Sequence, residues 1–242
     1  MIKKIGAITW ILFLSVVAVA QKTNISTVVA PKIEVSGAMK SIMINGDLSA
    51  HINLDTLNKI HLYGLGPVSG LKGEIMILDG NVYSTSKSGN QLVNSQDKVS
   101  LASMLVYSYV SKWRPVRINT VVNNYAELEK FIETTAKANL YNTDKPFAFK
   151  IDVIPAKAEF HVIDWRENSA HTMENHKQFA YSGQVLNKKV VMLGFYSTHH
   201  QSIFTHHTSS MHIHLLNEET NTVGHLDNIQ IKGMVTIYFP EN

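Results

Sequence analysis

Seven of the chain's twelve histidines fall between Gly194 and Asn228, a density that calls for a chemical reason. His212 and His214 flank Ile213 in Met211–Leu216, an alternating run of β-forming residues, and side chains two apart on a strand share a face. The polar cluster Asn217–Thr222 then reads as a turn and Val223–Leu226 as a returning strand. A hairpin symmetric about Glu219 and Thr220 sets His225 opposite His214, with backbone carbons about 5 Å apart. Three imidazoles then converge on one patch of sheet. Three histidines with an open fourth position form the coordination pattern of catalytic zinc, whereas structural zinc is closed by four ligands, usually rich in Cys. This chain has no Cys. The all-imidazole set suits zinc first, and cobalt, nickel or copper in the same geometry. A His-x-His pair alone is ordinarily surface decoration on a strand, so the third histidine and the local density are what point to metal.

The rest of the chain supplies elements to hold this patch. Lys189–Tyr196 reads as a buried strand leading into the histidine region, and a loop with His199, His200, His206 and His207 joins it to the metal strand. Leu71–Tyr83 reads as two strands joined at Asp79-Gly80-Asn81, a strong hairpin signal. Glu74 lies on the first of these, where alternation alone leaves it either a solvent-facing position or a functional one. Met104–Val110, Pro146–Ile154, Ala158–Ile163 and Met234–Phe239 read as further strands, and Tyr125–Ala138 as a packing helix with Leu128, Phe131 and Ile132 on one face. Ala38, Met39, Ile42 and Met43 suit a short helix broken at Asn45-Gly46-Asp47, and Asn53 or Asp55 can cap another. His61–Gly70 reads as a glycine-punctuated loop without phosphate-cradle spacing, and 84–100 as a polar surface loop. Ser169–His176 reads as irregular, with His171 and His176 on the surface. The whole predicts an α+β protein of mixed and antiparallel sheet with a few short helices.

At 242 residues, 45% hydrophobic and 17% charged, the chain can build a large core. Its net charge of +3 comes from scattered Lys and Arg, so no nucleic-acid footprint is present. The lack of Cys excludes thiol nucleophiles, disulfides, iron–sulfur sites and a lipoprotein anchor. Residues 1–20 have a basic start (Lys3, Lys4), an apolar run from Ile5 to Val19 and Ala18-Val19-Ala20 before Gln21, the form of a signal peptide. Residues 21–242 are then one domain working outside the cytoplasm, secreted or periplasmic, and off the membrane after cleavage.

The order of pieces resembles the α-acetolactate decarboxylase family. The resemblance begins at Gly37-Ala38-Met39 and Asn45-Gly46-Asp47, is clear from Tyr63 to Tyr83, returns at Phe149-Lys150-Ile151-Asp152, and closes over Gly194-Phe195-Tyr196 and the histidines. It implies two β-rich lobes, a homodimer, zinc held by His212, His214 and His225, and a site glutamate at Glu74. Where the family carries an active-site arginine this chain has His161, with Lys157 and Arg166 close but out of register. The loop before the metal strand is two residues longer and holds the His206-His207 pair. These departures bear on the substrate, because arginine is the natural partner of a carboxylate.

The chemistry implied is decarboxylation of a small-molecule 2-hydroxy-3-keto acid such as 2-acetolactate to acetoin and carbon dioxide. A Lewis acid spreads the developing enediolate charge, and Glu74 is the candidate proton donor. Lys157, Arg166, His161 or His206 would bind the substrate carboxylate; His161 is otherwise a packed histidine. Two other readings stand beside this one. In the first, a different zinc lyase or a hydrolase uses Glu74 as base; in the second, a secreted metal-binding protein closes the site with His206 or His207.

Overall fold

The structure is a computed structural model that describes residues 28–167, 169, 170 and 172–241; the signal peptide expected at residues 1–20 lies outside them. The first half contains β1 (Glu34–Ser36), α1 (Met39–Asn45), β2 (Ile52–Asn53), β3 (Leu62–Pro67), β4 (Glu74–Leu78), β5 (Asn81–Ser88), β6 (Gln91–Gln96), β7 (Leu101–Ala102) and β8 (Leu105–Tyr109). The second half contains β9 (Trp113–Val122), α2 (Tyr125–Ala138), β10 (Phe147–Val153), β11 (Lys157–Val162), α3 (Met173–Phe179), β12 (Tyr181–Val185), β13 (Val190–Tyr196), β14 (Met211–Asn217) and β15 (Thr222–Pro240). The protein is α+β, and every pairing between these strands is antiparallel.

One large sheet has the order β1-β8-β3-β4-β5-β6 and the other β10-β13-β14-β15-β11-β12, with β9 added beside β15, while β2 and β7 form a small third sheet. The second half of β15 also pairs with β10, which closes β10, β13, β14 and β15 into a circuit. Leu128 and Ile132 of α2 share one core with Phe149, Ile213 and Ile237 of these strands. A second core lies between the sheets, where Leu65, Met76 and Val106 meet Leu193, Phe195 and Leu216. Leu216 has the strand parity of His212 and His214, so the histidine face of β14 is the face turned to the first sheet.

Local chemistry explains the elements that match expectation. Asp79 and Gly80 both take positive φ (47° and 82°), the backbone of a two-residue hairpin turn that joins β4 to β5. The α2 helix starts where Asn124 accepts a hydrogen bond from the Glu127 N–H at 2.9 Å. Asn53 caps a single 3₁₀ turn at Leu54–Thr56.

Other segments differ from expectation for identifiable reasons. The expected loop at His61–Gly70 is largely strand β3. Its glycines serve close packing, since a Cβ on Gly66 would lie 2.1 Å from the Met104 carbonyl oxygen. The expected surface loop at 84–100 is mostly the β5–β6 hairpin. Polar pairs hold it together, Ser84 with Ser95 at 2.8 Å and Thr85 with Asn94 at 2.9 Å, so no apolar alternation marks it. The irregular stretch before His176 becomes α3, capped by Thr172, whose hydroxyl accepts from the Asn175 N–H at 3.1 Å. The returning strand after the histidine turn and the final strand are one element, the 19-residue β15.

Candidate metal centre

Strand register builds the site from three neighbouring strands. His214 on β14 lies directly opposite His225 on β15, as the hairpin symmetry requires, and His225 lies opposite His161 on β11. His212 stands two residues along the same face of β14. The ring centroids of His212, His214 and His225 are 5.0, 5.1 and 5.7 Å apart, and those of His161 and His225 are 4.7 Å apart.

Backbone carbonyls set the tautomers. The His212 Nδ1–H donates to the Phe204 carbonyl at 2.9 Å, and the His214 Nδ1–H donates to the Ile75 carbonyl of β4 at 2.8 Å. Each neutral ring therefore keeps its lone pair on Nε2, the arrangement that carbonyl partners impose on metal-binding histidines. Burial, reinforced by neighbouring imidazoles, holds both rings well below the usual histidine range, so they stay neutral. The Nε2 of His214 is buried without a hydrogen-bond partner. An uncompensated lone pair in a dry site is costly unless a cation meets it. The donor set fits a bound metal.

Glu74 approaches from the other sheet. Its Oε2 lies 3.5 Å from His214 Nε2, and its Oε1 accepts the Ile163 N–H at 3.2 Å. The side chain is 4% exposed, so the solvent-facing alternative is overturned: the inter-sheet packing of β4 encloses this residue. Burial pushes its carboxyl up to about 7, against the opposing pull of His161 and of the Ile163 N–H. That places a carboxylic acid and its carboxylate in comparable amounts near neutrality.

Asp227 completes the cluster and was not singled out from the sequence. The β11–β15 register slips here: Glu159 pairs with Asn228 but Phe160 with Leu226, leaving Asp227 as a bulged residue without a partner on β11. Bulges re-aim side chains beside sites. Asp227 Oδ1 is 2.6 Å from His161 Nδ1 and 3.6 Å from His225 Nδ1. Burial alone would lower the His161 pKa, but the hydrogen bond and charge of Asp227 outweigh it and raise the value. Burial likewise opposes ionisation of Asp227, yet His161 and His225 hold its carboxyl far below the usual range. Among the described residues, the group whose ligand atoms all lie within 4.8 Å of one another is His161, His225 and Asp227, which shares only His225 with the expected set of His212, His214 and His225.

The sequence profile of alpha-acetolactate decarboxylase matches residues 36–240. The chain belongs to this family. An α-acetolactate decarboxylase from Bacillus subtilis strain 168 is 18% identical, covers 87% of this chain and 86% of its own, and has a TM-score of 0.71. A Staphylococcus aureus protein of unknown function similar to α-acetolactate decarboxylase is 14% identical, over 87% of this chain and 86% of its own, at a TM-score of 0.68. At these identities the two structures show a shared fold. No curated protein matches the chain. Membership of the decarboxylase family supports carboxy-lyase chemistry.

The four residues expected to bind a substrate carboxylate separate by position. Lys157 pairs with Glu159 at 2.6 Å, and Arg166 lies over the Phe179 ring at 4.8 Å; neither borders the cavity beside the histidines. His161 and His206 both line it, as do Glu74, His212 and His225. The His206 ring packs on His207 at 4.2 Å, and burial followed by that neighbour lowers its pKa. His200 is bonded to Ser197 at 2.7 Å and stacked on Phe204 at 5.0 Å, which assigns it to packing of the loop. His176 was expected on the surface but packs against Trp165 at 4.4 Å and borders the cavity, because α3 turns it inward. His171 lies outside the described residues. Lys40 and Lys177 also border the cavity, and no sequence motif marked them.

Proposed function

We propose that the protein is a zinc-dependent carboxy-lyase that converts 2-acetolactate or a similar 2-hydroxy-3-keto acid to acetoin, or its homologue, and carbon dioxide. One observation carries this reading: a buried carboxyl raised to about 7 lies 3.5 Å from a partnerless imidazole nitrogen in a three-histidine face. His212, His214 and His225 would hold the ion. Zinc bound there supplies Lewis acidity toward the ketone and hydroxyl oxygens of the substrate.

The chain's own groups perform the remaining tasks. His161, whose protonated form Asp227 favours, binds the substrate carboxylate in the role that the family gives to arginine. The carbon–carbon bond to the carboxylate breaks, carbon dioxide leaves, and the bonding pair stays on the substrate as an enediolate. Glu74, in its carboxylic acid form, delivers its proton to the carbon that lost carbon dioxide and regains one from cavity water. The basic start and apolar run of residues 1–20 support export to a secreted or periplasmic location, and the family resemblance supports a homodimer.

The test is acetoin formation from racemic 2-acetolactate by purified protein, with metal content measured on the same sample. Acetoin at one zinc per chain, lost on chelation, is the expected result. Zinc-loaded protein that releases no acetoin refutes decarboxylation of this substrate and shifts attention to hydrolysis with Glu74 as base.

A further inference from the structure

The cavity beside the histidines has a volume of about 950 Å³, in the range that encloses drug-sized ligands and several times what acetolactate occupies. Its polar lining comes from the sheet, from the loop before β14 and from α3, and its apolar lining is a wall of Met39, Ile42 and Met43 from α1 with Leu71, Met104 and Ile163. Ile42, Leu71, Met104 and Ile163 belong to one buried cluster with Trp165 and Phe179, so this wall is part of the core and has a fixed position. Ile44, 79% exposed, extends the apolar surface to the rim. Two amines, Lys40 and Lys177, border the same opening and form no ion pair among the described residues.

Acetolactate carries only methyl groups and cannot cover such a wall. Water left against it has few polar partners, and displacing that water with hydrocarbon is favourable. Three of the six wall residues are methionines, whose flexible thioethers adapt to chains of different shape. The exposed amines attract an anionic substrate to the opening.

We propose that the physiological substrate is a 2-hydroxy-3-keto acid carrying an alkyl or benzyl substituent larger than methyl, which lies along the α1 wall while the keto acid head faces the histidines. This inference rests on the decarboxylase reading and names its substrate class. Each methylene placed against the wall contributes about fourfold in kcat/KM.

The test is carbon dioxide release by the metal-loaded full chain from racemic 2-hydroxy-3-keto acids. Two series are compared with acetolactate, one lengthened at carbon 2 and one at the acyl end, each running from ethyl to butyl and benzyl. At least one series is expected to rise, with propyl exceeding methyl by roughly tenfold or more in kcat/KM. Met43→Trp, which fills the gallery, is expected to reduce the long-to-short ratio at least tenfold, and the wild-type series decides the matter if that variant does not fold. Turnover of acetolactate with both series falling from methyl onward overturns the inference and leaves the decarboxylase reading standing. No carbon dioxide from any member sinks both.

Discussion

Replacing Glu74 by Gln separates the proton donor from the metal site. Gln keeps the shape of the side chain and a carbonyl oxygen able to accept the Ile163 N–H, now made at 3.2 Å. It cannot donate a carboxylic acid proton. General acid catalysis contributes about a hundredfold to ten-thousandfold, so kcat for acetoin release should fall by that factor with metal content unchanged. Stability gives a second readout. Glu74 is raised from 4.5 to about 7 in the folded chain, so its ionised form is disfavoured by folding. The stability it permits is complete below 4.5 and declines as pH rises through 7, by about 3 kcal/mol in total. Gln does not ionise. In chelator-treated protein, urea unfolding should therefore show Glu74→Gln gaining up to about 3 kcal/mol on the wild type between pH 5 and pH 8. Titrating groups not coupled to Glu74 cancel in that difference, and His161, which is coupled to it, adds to the pH dependence. A kcat within threefold of wild type at full metal occupancy, or a stability difference flat with pH, refutes the assignment of Glu74 as a buried donor.

Three other perturbations address separate parts of the argument. His225→Ala should remove most of the bound metal, measured by elemental analysis after dialysis, because it deletes the imidazole common to both donor sets; full retention defeats the metal centre described here. Asp227→Asn takes away the charge 2.6 Å from His161 and should lower the His161 pKa, so kcat/KM falls about tenfold at neutral pH and recovers partly in acid. An unshifted pH profile in that variant would show that His161 does not work as a cation. Asn124→Ala deletes the α2 cap and should cost about 1 kcal/mol in urea unfolding without changing metal content.

What was legible in the sequence divides along the range of the contacts involved. The β14–β15 hairpin is closed by a short polar turn, so symmetry about that turn was enough to bring His214 opposite His225. The turn at Asp79-Gly80 and the Tyr125–Ala138 helix were legible for the same reason, since their signals lie within the segment itself. The β3 strand was hidden by glycines whose purpose appears only when the Met104 backbone packs on them. The β5–β6 hairpin was hidden because its cross-strand pairs are polar.

The same division runs through the site. His212, His214 and His225 depend on one local hairpin. Glu74 and His161 reach them from β4 and β11, elements far away in sequence, and Asp227 is aimed by a bulge that exists only where β11 pairs with β15. Its one sequence signal was a carboxylate two residues after His225 on a strand. His161, expected from the family resemblance to stand where an arginine is usual, falls among the long-range contacts, and the structure gives that histidine a carboxylate partner at 2.6 Å. An arginine carries its charge unaided, whereas the imidazole of His161 gains proton affinity from Asp227. The histidine and the bulge that aims Asp227 at it act together, and His161→Arg with Asp227 left in place should tie the guanidinium to that carboxylate, so that KM for an anionic substrate rises in steady-state kinetics.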